Sequence, residues 1–392
     1  MTLSSFKQSS ILNSIRYENM NVGYPKIMNA PTATAGQATA SIAFTAATGA
    51  ISYTVLSSPG GITATGASSP ITVSGLTNGT AYTFQIKATS AAGDGIYSAA
   101  SNSITPGAVV TGGTLASDST YYYRTFTGNG TLGITVADLP LDMICIAGGG
   151  AGGRGSSSTS TYGGQGGGGA GGLVYYAATL SPANYGVVIG GGGAGAASLN
   201  TTGGSGSNTT FNSTTVSATG GGGGGTGSGA SATAPTTGGS GGGGRGFSSG
   251  TTTGGTGSQN FNGGAGFNSA TSSLRAGGGG GGAGNNGSPA SSNQGGFGGV
   301  GSSAYSSWGA ATGTGELVSA TYYYAGGGGG TPNTNGGSGG GGGGGTASSG
   351  AGTANTGGGS GGTRSSATVG AGQPSSGGSG IVIVRYLKTA VA

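Results

Sequence analysis

Residues 336–352 read GGSGGGGGGGTASSGAG, and the rest of the architecture follows from whether this stretch is ordered. Such a run has no side chains to bury, and it loses more backbone entropy on ordering than any other sequence. It forms no stable helix of the usual kind. If it is ordered, backbone hydrogen bonds are the only compensation available. In an extended helix of three residues per turn, rising about 3.1 Å per residue, the N–H and C=O groups point outward and have no internal partner. Laid side by side, such helices donate to their neighbours, and glycine alone allows the close approach. The need to pair every backbone group then holds the assembly together. The stretch therefore predicts packed polyglycine II-type helices, with extended geometry through residues 341–345.

The same composition extends outward. The chain carries 103 glycines, all but 16 of them after residue 147. Runs such as GGQGGGGAGG, TGGGGGGTG, AGGGGGGAG and AGGGGGTP recur between residues 148 and 380, with separators rich in Ser, Thr and Asn. Two apolar stretches bracket them, MICIA at 143–147 and IVIVRY at 381–386. A continuous apolar run of this length is the mark of a strand buried on both faces. Pairing of the two would close the region of residues 148–380 at its base. A small β base over residues 114–147, entered through the linker GAVVTGGT, completes a glycine-rich domain over 108–392.

Residues 31–107 change to alternation. SIAFTA, ISYTVL, ITVSGL and AYTFQIKATS read as strands of period two, separated by SSPGG, TNGT and AAGDG turns. Short strands at this spacing indicate a β-sandwich. The stretch GLTNGTAYTFQIKATSAAGDGIYSAASNSITP is similar to the second half of a fibronectin type III domain. Leu76 and Tyr82 stand where that family has its tyrosine corner, and Phe84, Ile86 and Ala88 continue the inward face. Phe44 departs from the tryptophan that many members carry. The resemblance implies a fold and no ligand. The whole chain is thus expected to be all-β. Residues 1–30, with Phe6, Ile11, Leu12 and Ile15, form the expected attachment or oligomerisation segment.

Several chemistries find no support. Histidine is absent, which removes Ser-His-Asp and Cys-His machinery and histidine-bound metals. The single cysteine, Cys145, lies in an apolar run and reads as a small buried hydrophobe. Matches to G-x-G-x-x-G carry no information in so glycine-rich a chain, and none of the four lysines follows a glycine as a phosphate loop requires. The six acids are scattered, and Asp138 and Asp142 read as solvating the turn ADLPLD. A net charge of +5, from only 4% charged residues, is too thin for a nucleic-acid surface. No stretch is long and apolar enough to span a bilayer, and the N-terminus lacks the apolar core of a signal peptide. The expectation is a non-enzymatic protein that takes no cofactor, made in a cytoplasm, binding no nucleic acid and inserting in no membrane.

The pattern FTGNGTLGITV…MICIAGGGAGG, then YGVVIGGGG, ending GGSGIVIVRY, resembles glycine-rich virion proteins, among them the glycine-rich domain of phage tail-fibre adhesins. That resemblance implies a stack of polyglycine helices with loops that bind a host receptor. It implies a virion location, contacts with other virion proteins through residues 1–30, a homotrimer, and host surface carbohydrate as ligand. Aromatics stack on sugar rings while Asn, Ser and Thr hydrogen-bond hydroxyls. The candidate contacts are Tyr305 and Trp308 in AYSSWGA, Phe261 and Phe267 in QNFNGGAGFN, and Tyr322 and Tyr323 in SATYYYAGG. Core packing competes for each of these residues. Arg154, Arg245, Arg275 and Arg364 are expected to cap carbonyls at the ends of runs. A purely structural virion component, such as a fibre shaft, capsid fibre or baseplate decoration, is the alternative function.

Overall fold

A computed structural model describes residues 24–156, 163–227, 233–249, 253–331, 336–348, 350–365 and 375–391. Most of the expected attachment segment, including Phe6, Ile11, Leu12 and Ile15, lies outside these residues. Among the described residues the architecture is nearly all β, with one α-helix at Ser306–Thr312.

The alternating region folds as two facing antiparallel sheets. One orders the strands Thr32–Gly36, Thr39–Ala43 and Ile71–Ser74; the other orders Thr63–Gly66, Ser52–Ser58, Thr83–Ser90 and Gly93–Asp94. Period two decides what is buried: Ala40, Ile42, Val55, Val73, Phe84 and Ile86 meet between the sheets with no exposed surface. At the corner leading into Thr83–Ser90, the Tyr82 hydroxyl accepts the Thr77 N–H at 3.1 Å. Phe44 packs on this core with its ring centroid 4.6 Å from that of Tyr53.

The base is larger than the sequence suggested. One five-stranded antiparallel sheet orders Leu173–Leu180, Leu139–Ile146, Ile381–Leu387, Tyr121–Phe126 and Thr114–Ser117. A second orders Val216–Ala218, Thr209–Phe211, Ala183–Val188, Gly130–Thr135 and Val109–Thr111. Four of these strands fall in the stretch read as polyglycine, and Val109–Thr111 falls in the supposed linker. Their short alternations, LVYYAATL and ANYGVV around a Ser-Pro turn, are ordinary strand signals that the surrounding glycine obscured.

The closing pair is present. Asp142 stands opposite Arg385, Met143 opposite Val384, Ile144 opposite Ile383, Cys145 opposite Val382 and Ile146 opposite Ile381, antiparallel. Alternation sends Met143, Cys145, Val382 and Val384 into the core between the two sheets, with Leu132, Ile134 and Phe211. Ile144, Ile146, Ile381 and Ile383 face the other way, against Ala170, Ala325, Trp308 and Tyr324. Both faces are thus dry, which is why neither stretch carries a polar residue between Met143 and Ile146 or between Ile381 and Val384.

Over that second face lie the glycine runs, and their donors follow a rule. Gly166, Gly169 and Gly172 donate to Gly225, Gly222 and Thr219; Gly167 and Ala170 donate to Gly278 and Gly281; Gly168 and Gly171 donate to Ser360 and Gly357. Every third residue serves the same neighbour, so the run's amides face three directions. The run that follows Ala276 repeats this: Gly277, Gly280 and Ala283 donate to Thr331, Gly328 and Ala325, while Gly278 and Gly281 donate to Gly244 and Gly241. Side chains are excluded by contact. A Cβ on Gly168 would lie 2.1 Å from the Gly150 carbonyl oxygen, and one on Gly280 would lie 2.0 Å from that of Gly168. Two alanines of the runs, Ala170 and Ala325, sit where the run meets side chains, above the isoleucines.

Residues 341–345 break the rule expected of them. Gly342 and Gly343 have φ of +106° and +88°, and Gly344 donates back to the Gly340 carbonyl. The chain turns there because the Gly342 and Gly343 amides close on one Glu316 carboxylate oxygen, at 2.5 and 2.7 Å. The longest glycine run is therefore partly a turn around an anion, a conformation that L side chains rarely adopt.

Candidate functional site

The glycine runs cover the isoleucines of the first base sheet but not the whole of that face. Two residues further along the same strands, Asp142, Ala177 and Arg385 stand in register. With Tyr121, Pro140 and Leu387 they line an open groove of about 450 Å³. Alternation places all six on the side that elsewhere packs against glycine.

The groove has a fixed polar centre. The Arg385 guanidinium pairs with Asp142, and lies 4.3 Å from the Tyr121 ring centroid and 4.6 Å from that of Trp308. The Tyr175 hydroxyl donates to the other Asp142 oxygen at 2.9 Å. The Tyr175 ring stacks on Tyr305 with centroids 6.0 Å apart and planes 14° from parallel. Tyr305 meets the edge of Trp308 at 5.6 Å, and Trp308 meets the edge of Tyr123 at 6.0 Å. The Tyr123 hydroxyl then donates to Asp118 at 2.7 Å. One connected network thus runs from the groove to the helix Ser306–Thr312 and back to the sheet.

Protonation follows from these partners. The bond to Asp142 raises the Tyr175 phenol, with burial adding to it. Burial alone would lower Arg385, but the bond to Asp142 and its charge outweigh it, and the net shift is upward. Burial, then the bond to Asp118, pushes Tyr123 up to about 12. The backbone N–H of Tyr121, with further bonds from Tyr123 and Thr120, holds Asp118 below its ordinary value. Burial raises the Cys145 thiol to about 12, so it stays protonated between its sheets. The groove therefore presents aromatic rings and a neutralised ion pair at ordinary pH. Such a surface contacts hydroxyls and C–H faces; its one carboxylate is already engaged twice.

The six residues chosen from sequence are divided by the fold. Trp308 is 3% exposed and sits in the core above Ile144 and Ile383, so it offers no ring face to an outside ligand, a correction to its choice as a contact. The short helix, ended by Gly313 at φ +68°, turns its ring inward. Tyr305 joins it there, half-buried. Tyr322 and Tyr323 are half-buried in the strand Thr321–Tyr323, paired with Glu316–Val318, and the Tyr322 N–H reaches Ser306 Oγ at 2.9 Å. Phe261 is 40% exposed, and Phe267 is half-buried and bridged to Ala276. Of the four arginines, Arg154 donates to the Ala196 and Ala197 carbonyls and Arg275 to those of Ser269 and Ala270, as capping requires. Arg245 has a buried Nε with no partner.

Tyr121, Tyr175, Asp142 and Arg385 were not singled out as contacts from the sequence. Asp142, expected to solvate the turn ADLPLD, lies within the strand Leu139–Ile146 and pairs with Arg385. The available signal was a charge interrupting each of two apolar strands, LPLDMICI and IVIVRYL. Among the described residues, no group of three or more acidic, cysteine or histidine side chains gathers to hold a metal, and no helix is long and apolar enough to cross a membrane.

The laterally bonded runs, closed between the two apolar strands, coincide with the family model described as a glycine-rich domain, which matches residues 124–387. The chain belongs to this glycine-rich domain family. The match starts in the strand Tyr121–Phe126 and ends with Ile381–Leu387, so the family unit includes both base strands that bracket the glycine. No curated protein matches the chain. Among solved structures, a chitinase from Bacillus thuringiensis is similar at 16% identity and a TM-score of 0.19, over 33% of this chain and 20% of that one. A likeness so slight carries no weight for the glycine-rich domain or for activity.

Proposed function

We propose that the protein is a phage virion fibre or adhesin component that binds polysaccharide on the host cell surface. The observation that carries this reading is the three-directional backbone lattice. It joins the glycine runs to one another and leaves polar loops and isolated rings, such as Phe261, as the outward chemistry of the domain. In this reading the runs are polyglycine II-type helices, whose backbone groups point outward with a period of three. The module over residues 31–107 is fibronectin type III-like, with the Tyr82 hydroxyl bonded to the backbone five residues upstream as in a tyrosine corner. Residues 1–30 attach the chain to other virion proteins, and the assembly is a homotrimer.

The test is adsorption. Purified chain incubated with intact host cells should bind, and periodate oxidation of the surface polysaccharide should abolish the binding. Labelled antibody should mark a distal tip under the electron microscope. Cells that never bind, or a label spread along a shaft, would leave the second reading, a purely structural component. The burial of Trp308 favours that reading, because it removes from the loops the side chain best suited to sugar stacking.

A further inference from the structure

We propose that the groove beside the Asp142–Arg385 pair is the site that takes a neutral pyranose unit of that polysaccharide. The inference rests on the carbohydrate reading above, and it moves the contact from the loop tips to the margin of the base sheet.

Size and chemistry both fit. The groove measures about 450 Å³, within the range of roughly 300–1,000 Å³ for small-ligand sites. Its floor is small and apolar at Ala177 and Pro140, and Leu387 supplies an exposed aliphatic edge. Tyr175 lies next to Ala177 on the same face and is 48% exposed. Its ring is set by stacking on Tyr305 and by its bond to Asp142, so little ordering entropy remains to be lost on binding. A carboxylate has about four acceptor directions and a guanidinium five donors. Asp142 uses two acceptors, on Tyr175 and Arg385, and its remaining acceptor directions are left for sugar hydroxyls, whereas the Arg385 Nε is buried.

Charge selects among sugars. Asp142 and Arg385 cancel, and no further basic side chain lines the groove. A uronic acid would meet the Asp142 carboxylate with no unpaired cation to offset it. Neutral hexoses are favoured.

The full chain is tested by affinity electrophoresis in gels containing dextran, mannan or galactan, with alginate and polygalacturonate as acidic counterparts, and by binding to intact host cells. We expect retardation by at least one neutral polysaccharide and by neither acidic one. Tyr175→Ala and the groove-filling Ala177→Trp should each weaken it at least ten-fold, and Phe297→Ala, on an exposed ring elsewhere, should not. Thermal melts confirm that the variants fold. Retention unchanged in both groove variants, or stronger retention by the acidic polymers, overturns the proposal. If Phe261→Ala alone loses binding, the groove assignment falls while the carbohydrate reading stands. If neither cells nor any polymer bind the wild-type chain, both fall.

Discussion

The Arg385 guanidinium lies over the face of Trp308, 4.6 Å from its ring centroid. This contact joins the last strand of the base to the α-helix Ser306–Thr312. It also settles what the tryptophan does. A ring 3% exposed, held by a cation on its face and by Tyr123 and Tyr305 at its edges, is a structural anchor. Replacing Trp308 with alanine should cost about 3–5 kcal/mol, read as a lowered unfolding midpoint in denaturant. Loss of adsorption with unchanged stability would contradict this.

Glycine in the lattice should be intolerant of a single methyl group. Gly168→Ala places a Cβ 2.1 Å from the Gly150 oxygen, and backbone on both sides must move. We expect a loss of at least about 3 kcal/mol, at or beyond the upper end for overpacking. Gly128, whose added Cβ would meet nothing within 4 Å, serves as the contrast. Gly128→Ala should be neutral or slightly stabilising, by up to about 1 kcal/mol, through the unfolded chain. Equal melting temperatures for the two variants would show that the lattice is not the source of order.

Removing the closing strand should separate the two halves of the protein. Ile381 and Ile383 support the glycine runs, while Val382 and Val384 fill the core between the base sheets. Deletion of residues 381–392 should abolish slow hydrogen exchange throughout residues 148–380. The sandwich of residues 31–107, which has its own buried core, should keep its protected amides. Protection in the glycine runs that survives the deletion would refute closure.

Alkaline pH should loosen the base. The Tyr123 phenol is raised from 10.0 to about 12 in the folded protein. A raised folded value means its stabilising contribution is complete below pH 10.0, and is lost as pH climbs toward about 12. Cys145, raised from 9.0 to about 12, acts in the same direction and begins to do so sooner. The unfolding free energy should therefore decline from about pH 9 upward, and Tyr123→Phe should flatten the part of the slope above pH 10.0. An unchanged slope in that variant would remove Tyr123 from the account.

Acid should act on the neighbouring group with the opposite sign. Asp118 is held below 3.8 by the Tyr121 N–H and by bonds from Tyr123 and Thr120. Its contribution is present above pH 3.8, and disappears as pH falls through the lower folded value. Asp118→Asn should remove that part of the acid dependence, measured by thermal melts from pH 5 downward.

Composition alone dictated what the backbone had to do. Runs without side chains can be ordered only by their own amides and carbonyls, so a laterally bonded glycine domain was legible from composition. The pairing of Met143–Ile146 with Ile381–Val384 was legible too, because unbroken apolar runs imply two dry faces. The alternation of residues 31–107 announced two sheets for the same kind of reason. Where each side chain faces was set by long-range packing. Trp308 could have stood at a loop tip; the helix Ser306–Thr312 instead sets it against Tyr123, Tyr305 and Arg385. Gly342 and Gly343 could have continued the laterally bonded run, but a carboxylate at Glu316, distant in sequence from them, turned them. Asp142 and Arg385 come together only because two strands 243 residues apart adopt one register. Local pattern sets periodicity and burial, whereas a groove is made by which strands become neighbours, and that depends on contacts no short window of sequence contains.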